Sequence, residues 1–127
     1  MDKKYINTPN APAAIGAYSQ AVLVDNLVYV SGQIPLLPET GVMVSSDFDE
    51  QARQVFANLS AIAGAAGTNL NNAIKLTVYL TDLSNFPSLN EIMAEVMHEP
   101  FPARAAVQVV ALPKDAQIEI DAILYAD

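Results

Sequence analysis

The chain has 127 residues, the size of one domain and enough for a substantial buried core. Apolar residues make up 52% of it, which excludes a disordered chain, yet no apolar run approaches the roughly 20 residues of a membrane helix. The formal net charge of −8 would repel phosphate backbones, and the absence of cysteine excludes disulfides, thiol catalysis and thiolate metal sites.

The N-terminal segment and the composition together predict a cytoplasmic protein. Met1 is followed by charged residues, polar residues and prolines rather than by the apolar core of a signal peptide. No cluster of Lys and Arg offsets the acidic balance. We therefore expect a single domain over residues 1–127, with no membrane segment and no nucleic-acid partner.

The first half of the chain predicts a β-hairpin followed by an amphipathic helix. Two β-rich runs, residues 19–24 and 27–31, are separated by a two-residue turn. Ser46 or Asp47 is placed to cap a helix that Gly67 ends. The apolar stripe of this helix is spaced by threes and fours and consists of Phe48, Ala52, Val55, Leu59, Ile62 and Ala66.

The second half predicts a strand, a helix and two more strands. The strand covers residues 73–81, the helix begins within residues 84–87, and the last strands cover 104–110 and 117–125. The apolar faces are Ile74, Leu76, Val78 and Leu80 in the first strand, and Leu89, Ile92, Met93, Val96 and Met97 in the helix. The order β-β-α-β-α-β-β predicts an α+β domain with two helices packed on one face of a mixed sheet.

One face of the predicted sheet has no helix to cover it. In the last strand Ile118, Ile120, Ala122 and Leu124 face the helices, and Gln117, Glu119, Asp121 and Ile123 face the other way. Ala105, Val107 and Val109 make that second face too apolar to be fully wetted. We expect another subunit to cover it in a closed homo-oligomer, with sites between subunits.

Arg104 is the most informative single residue because it begins an apolar segment that resembles a buried strand. A guanidinium costs several kcal/mol to desolvate and is seldom buried without a partner. The partner is either an internal carboxylate, Glu119 or Asp121, or the carboxylate of a ligand held by two N–H groups. Glu119 on another apolar strand would supply an acid-base group near such an anion site.

Six sequence blocks resemble, in order and in spacing, the RidA (YjgF) family of enamine/imine deaminases. They are residues 11–18 (APAAIGAY), 30–35 (VSGQIP), 51–54 (QARQ), 75–83 (KLTVYLTDL), 101–104 (FPAR) and 112–120 (LPKDAQIEI). The resemblance implies a chorismate-mutase-like fold assembled as a homotrimer with three clefts between subunits. It also implies hydrolysis of 2-aminoacrylate- and 2-aminocrotonate-type enamines and imines to 2-oxo acids and ammonia, without a cofactor and without a metal.

The same resemblance assigns roles to six residues. Arg104 matches the arginine that clamps the substrate carboxylate, and Glu119 matches the glutamate that positions the attacking water. The remaining cleft positions are Tyr18, a further catalytic candidate, and the substrate-binding candidates Ser31, Gly32 and Asn90. Each of the weaker assignments has a structural alternative: Tyr18 packs, Ser31 ends a strand, and Asn90 decorates the second helix.

The chain departs from the family pattern at three points. Ala105-Ala106 replace the Ser-Cys that usually follows the arginine, Gly16-Ala17-Tyr18 replaces Gly-Pro-Tyr, and the stretch between Asn90 and Arg104 is about three residues shorter. Loss of the cysteine removes a cleft side chain, and the shorter stretch would reposition a cleft wall. Because of these departures a second hypothesis stays open, a non-catalytic trimer that binds small carboxylates. RNA cleavage, linked to some relatives, is disfavoured by the −8 charge.

Overall fold

The computed structural model describes residues 2–127 as a six-stranded sheet with two helices packed on one face. The strands are β1 (Lys3–Ile6), β2 (Ala21–Val24), β3 (Leu27–Gln33), β4 (Ala73–Leu80), β5 (Ala103–Gln108) and β6 (Ile118–Tyr125), and the helices are α1 (Phe48–Ala65) and α2 (Phe86–Val96). The strand order is β1-β2-β3-β6-β4-β5, and among these strands only β4 and β5 pair in parallel. The predicted α+β domain is confirmed. Neither of the two helices is long and apolar enough to cross a membrane.

Helix α1 forms where the sequence supplies a cap, an apolar stripe and a terminator. The carboxylate of Asp47 accepts a hydrogen bond from the backbone N–H of Glu50 at 3.0 Å, which satisfies one of the unpaired donors of the first turn. Gly67, with φ of 83°, lies in the left-handed region just beyond the helix, where glycine is favoured. The predicted stripe is buried at Phe48, Ala52, Val55, Leu59 and Ile62.

The core lies between the helices and the sheet. The side chains of β6 that face the helices are at most 2% exposed, and they are Ile118, Ile120, Ala122 and Leu124. Helix α2 contributes Leu89, Ile92 and Met93 to the same core. The alternation predicted for the last strand is therefore confirmed, and it turns Glu119 and Asp121 to the face that carries no helix.

Two details of the sheet differ from the sequence prediction. Strand β1 was not predicted, because Lys3–Ile6 is a short edge strand with mostly exposed side chains and no apolar alternation. Ile74 was placed on the buried face of β4, but its side chain is 43% exposed. The pairing of β4 with β6 shifts register between Ala73 and Lys75, and this β-bulge turns Ile74 out of the core.

Strand β5 is also less buried than its apolar sequence predicts. It is an edge strand that pairs only with β4, and its side chains Arg104, Ala105 and Val107 are exposed in the single chain. Ala106 alone packs partly against the core. The helix-free face consequently presents apolar side chains to the outside of the chain.

Candidate active site

Arg104 is held against helix α2 at the beginning of strand β5. It pairs with Leu76 of β4, whose fully buried side chain faces the helices, so Arg104 lies on the helix-facing side of the sheet. Its Nη1 donates a hydrogen bond to Asn90 Oδ1 at 2.6 Å and lies 3.6 Å from Met93 Sδ. Its Cζ lies 4.9 Å from the ring centroid of Phe86, a cation–π contact. An amide, a thioether and an aromatic ring thus fix the guanidinium in place.

These contacts leave one edge of the guanidinium unused. Within residues 2–127, Nε and Nη2 of Arg104 have no hydrogen-bond partner, and the residue is exposed. Two adjacent N–H groups match the two oxygens of a carboxylate. Arg104 also lines a cavity of about 420 Å³ together with Asn90, Met93, Ala94, Phe101 and Pro102. We refer to these six residues and Phe86 as the arginine half-site.

Arg104 does not form an ion pair with Glu119 or Asp121, the internal partners that the sequence offered as an alternative to a ligand. Within the described residues, the one side-chain ion pair joins Arg53 of α1 to Glu95 of α2 at 2.8 Å. Glu119 and Asp121 lie on the other face of the sheet, where the side chain of Arg104 does not reach them. The partner of Arg104 within its own chain is Asn90, a neutral amide.

Glu119 lies on the helix-free face, next to a bulge in strand β3. Its neighbours Ile118 and Ile120 are fully buried toward the helices, and the alternation of the strand turns Glu119 away from them. The pairing of β3 with β6 shifts register across Ser31 and Gly32, so two residues of β3 lie opposite one residue of β6. Bulges of this kind are common next to active sites, because they redirect neighbouring side chains.

Gly32 makes room for the carboxyl group of Glu119. A Cβ atom at position 32 would overlap the Glu119 carboxylate and lie 2.9 Å from its Cδ. Gly32 has an ordinary backbone conformation, so the need for glycine arises from this close approach and not from φ. The glycine at position 32 therefore has a physical reason that the sequence did not reveal.

The surroundings of Glu119 favour its protonated form. Burial raises the pKa of Glu119 above its ordinary value, and the negative charge of Asp121 on the same strand raises it further. A carboxyl group with a raised pKa takes up and releases protons closer to neutral pH, which is the property required of a general acid-base group. Such shifts are concentrated at functional sites.

Tyr18 and Ser31 lie in the same cavity as Glu119. This cavity of about 400 Å³ is lined by Ile15, Tyr18, Ser31, Gly32, Ile34, Pro113 and Glu119. Ser31 Oγ donates a hydrogen bond to the Ser19 carbonyl at 2.6 Å, so its proton is already used. The Tyr18 hydroxyl accepts a hydrogen bond from the Ile15 N–H at 3.3 Å and keeps its own proton to donate. We refer to Tyr18, Ser31, Gly32 and Glu119 as the glutamate half-site.

Gln20 anchors the segment that carries Tyr18. It is 2% exposed, and its Oε1 accepts a hydrogen bond from the Thr8 N–H at 2.7 Å. Its Nε2 donates to the carbonyls of Thr8 at 3.0 Å and Pro12 at 2.9 Å. Nε2 also donates a longer hydrogen bond to the Ala11 carbonyl at 3.4 Å, so one buried amide contacts four backbone groups of the loop that precedes Tyr18.

The six predicted site residues therefore form two groups that do not meet within one chain. Tyr18, Ser31, Gly32 and Glu119 lie together on the helix-free face, while Asn90 and Arg104 lie on the helix-facing side. Within residues 2–127 no cluster of three or more His, Cys, Asp or Glu side chains is arranged to hold a metal ion.

Sequence reasoning missed several residues that shape the two half-sites. Phe86 and Met93 were missed, and they are spaced by four and three residues from the predicted Asn90 along α2, so the three share one helix face and this periodicity could have indicated the support for Arg104. Met93 was assigned to the core alone, and it is both buried and in contact with Arg104. Tyr79 donates a hydrogen bond to Asp121 across two strands, and no local pattern signals that contact.

The fold and the two half-sites define a class of protein, an α+β domain with an arginine whose donor edge is unused on one sheet face and a carboxyl group with a raised pKa on the other. A family model described as Endoribonuclease L-PSP matches residues 8–126. The chain belongs to this family, which is the RidA (YjgF) family that its motifs resemble.

Named relatives are similar along nearly the whole chain. The 2-iminobutanoate/2-iminopropanoate deaminase of Rattus norvegicus is 51% identical over 121 residues, which cover 95% of this chain and 88% of the rat protein. The crystal structure of RidA from an Antarctic Psychrobacter species is 54% identical with a TM-score of 0.94 and covers 96% of this chain and 98% of that one. E. coli TdcF, crystallised with bound serine, is 42% identical with a TM-score of 0.91, covering 98% and 99%.

Proposed function

We propose that this protein hydrolyses small 2-imino acids, and the enamines that tautomerise to them, to 2-oxo acids and ammonia. The observation that carries the proposal is the guanidinium of Arg104, fixed by α2 and left with an unused donor edge. The rat relative is named a deaminase of 2-imino acids, and the solved TdcF structure contains serine, which also bears a carboxylate. Substrates of the 2-aminoacrylate and 2-aminocrotonate type suit a cavity of about 420 Å³ with a partly apolar wall.

The reacting cleft would combine two copies of the chain. Arg104 and Glu119 lie on opposite sheet faces, so one small molecule would meet both only if a second copy brings its glutamate half-site to the first copy's arginine half-site. The exposed Ala105 and Val107 support a subunit contact on the helix-free face. We propose a homotrimer, for which sedimentation equilibrium would give about three times the chain mass of 13.6 kDa.

The proposed chemistry requires positioning and one proton carrier. Arg104 holds the carboxylate of a protonated imine. Water adds to the imine carbon, and Glu119 takes one proton from this water. The carbinolamine that forms then receives this proton on its nitrogen. The C–N bond breaks, its electron pair leaves with ammonia, and the hydroxyl proton is released as the C=O bond of the 2-oxo acid forms.

The other residues would support these two groups. Asn90 would act on Arg104 rather than on the substrate, because its side-chain oxygen is occupied by the guanidinium. Tyr18 retains a proton that it can donate to the leaving nitrogen or to the water. Ala106 pairs with Val78, on the same sheet face as Arg104. Because alanine stands here in place of the family cysteine, this part of the cleft would be larger by the volume of one thiol group.

The decisive experiment adds the purified protein to a serine or threonine dehydratase reaction, which releases the unstable enamine. Faster formation of ammonia and 2-oxo acid than the spontaneous rate is expected, and a variant without the Arg104 side chain should lose the effect. Binding of a 2-oxo acid without any acceleration would instead establish the non-catalytic carboxylate-binding protein. The endoribonuclease description of the family remains disfavoured for this chain by its charge of −8.

A further inference from the structure

Next to Glu119 the helix-free face carries a second polar unit that the proposed reaction does not use. Tyr79 of β4 pairs directly with Glu119 of β6, and Thr77 pairs directly with Asp121. The Tyr79 side chain crosses diagonally between these pairs, and its hydroxyl donates a hydrogen bond to Asp121 Oδ2 at 3.0 Å. The two carboxyl groups lie on the same face, two residues apart, with the tyrosine ring beside both.

We propose that the Tyr79–Asp121 pair is a positioning unit for Glu119, in which Tyr79 fixes Asp121 as a negative charge beside the catalytic carboxyl group. The inference rests on the proposed function, which makes Glu119 the proton carrier. Asp121 acts through Glu119 and needs no contact with the substrate.

The geometry explains why the charge stays where it is. A surface aspartate ordinarily samples several rotamers, but a hydrogen bond from a tyrosine on the neighbouring strand selects the one that keeps Oδ2 over the sheet. The hydrogen bond to Asp121 raises the pKa of Tyr79, and its burial and the nearby acidic charges raise it further. The phenol therefore remains protonated at neutral pH and remains a donor.

No cation of the same chain forms an ion pair with Asp121 within the described residues. The titratable side chains of this face are Tyr18 in the same cavity, Tyr29 on β3, Lys75 and Tyr79 on β4 and Asp121 on β6, and Lys114 and Asp115 directly follow Pro113 of the cavity wall. Lys75 pairs with Ile123, beyond Asp121 along the strand, and it makes no ion pair there. Lys114 is directed to the carbonyl of Gly41 at 3.4 Å. Within the chain Asp121 is therefore the charge that acts on Glu119, and it adds to the upward shift of the Glu119 pKa that burial causes.

The test measures the protonation of Glu119 directly, so it does not depend on turnover. In protein labelled with ¹³C at the glutamate side-chain carboxyl carbons, the Glu119→Gln variant identifies the Glu119 resonance by its loss. In Asp121→Asn, which keeps the shape and still accepts the Tyr79 hydrogen bond, the titration midpoint of Glu119 should move to lower pH. In Tyr79→Phe the midpoint should move the same way but less, because Asp121 keeps its charge and loses its anchor.

The control is Asp49→Asn, which removes the same charge from the first turn of α1 and should leave the Glu119 midpoint unchanged. A midpoint in Asp121→Asn equal to that of the parent protein overturns the proposal. If Asp121→Asn does not fold, Tyr79→Phe decides, and an unchanged midpoint there overturns it. A shifted midpoint in a protein without deaminase activity would support the electrostatic coupling and reject the proposed function, so the two failures are distinguishable.

Discussion

Arg104 and Glu119 lie on opposite faces of the sheet of a single chain. Arg104 pairs with Leu76, which faces the helices, and Glu119 pairs with Tyr79, which faces away from them. The sheet thus separates the proposed anion site from the proposed acid-base group. A site that uses both would take one from each of two chains, so the proposed chemistry requires assembly.

The first prediction is that two inactive variants restore each other's activity when mixed. In trimers formed from equal amounts of Arg104→Ala and Glu119→Gln chains, a cleft between subunits contains both native residues with a probability of one half times one half. About a quarter of the parent activity should therefore return after subunit exchange. The control is each variant taken alone through the same subunit-exchange procedure. Complete inactivity of the mixed trimers would mean that each active cleft takes Arg104 and Glu119 from the same chain.

The second prediction concerns the shape of the cation. Arg104→Lys keeps the charge but loses the paired N–H groups and the planar surface that contacts Phe86. Loss of one charge-assisted hydrogen bond costs roughly 1.5–3 kcal/mol, so kcat/KM should fall on the order of tenfold to a hundredfold. Arg53→Lys, at the exposed ion pair with Glu95, is the matched control and should retain activity. Parent-like kcat/KM in Arg104→Lys would refute the carboxylate clamp.

The third prediction separates binding from chemistry at Glu119. Glu119→Gln preserves the shape of the side chain but cannot take up a proton, so turnover should fall by about 10²–10⁴, the usual span for a lost acid-base group. Calorimetric titration with a 2-oxo acid should still show binding through Arg104. The exposed Glu39→Gln is the control for the chemical change. An equal loss of binding and turnover would show that Glu119 contributes to holding the ligand.

The layered fold could be predicted from the sequence because its elements have strong local signals. Helix α1 has a cap at Asp47, a continuous apolar stripe and a terminating Gly67, and strand β6 alternates regularly. Strand β1 could not be predicted, since Lys3–Ile6 is stabilised by pairing with β2 and not by its own apolar pattern. The exposure of Ile74 depends on a bulge, which is a property of two strands together.

The candidate site could be predicted as a set of six positions, but not as an arrangement in space. Arg104 and Glu119 are unusual on apolar strands, and that property is visible in the sequence. Strand alternation, which places Glu119 with Ala105 and Val107 on the helix-free face, implies that Arg104 lies on the other face. The pairing of β5 and β6 with β4 joins segments that are distant from β4 in sequence. The hydrogen bonds of Gln20 likewise join residues 8 to 12 positions apart through a buried side chain. Such contacts are set by tertiary packing, which local patterns do not encode.

The fourth prediction is that Gln20 stabilises the segment that carries Tyr18. Gln20→Leu would leave the backbone N–H and C=O of Thr8 and the C=O of Pro12 buried without their partners. At about 0.5–1.5 kcal/mol for each of these three neutral hydrogen bonds, the free energy of unfolding should fall by roughly 1.5–4.5 kcal/mol. Urea unfolding at one fixed protein concentration would measure it. Gln54→Leu, which removes only the hydrogen bond to Asn58 on α1, should cost less, and equal losses would contradict the assignment.

The last prediction concerns the space that Gly32 leaves for Glu119. In Gly32→Ala the new methyl group would overlap the Glu119 carboxylate, whose flexible side chain can turn away at little cost to the fold. We therefore expect turnover to fall toward that of Glu119→Gln, about 10²–10⁴, while thermal stability changes little. Gly64→Ala is the matched control, because a Cβ there meets nothing within 4 Å, and alanine in a helix interior is up to about 1 kcal/mol more favourable. A crystal structure of Gly32→Ala should show Glu119 displaced. Full activity with Glu119 in its original position would mean that the bulge, and not the carboxyl group, adapts to the methyl group.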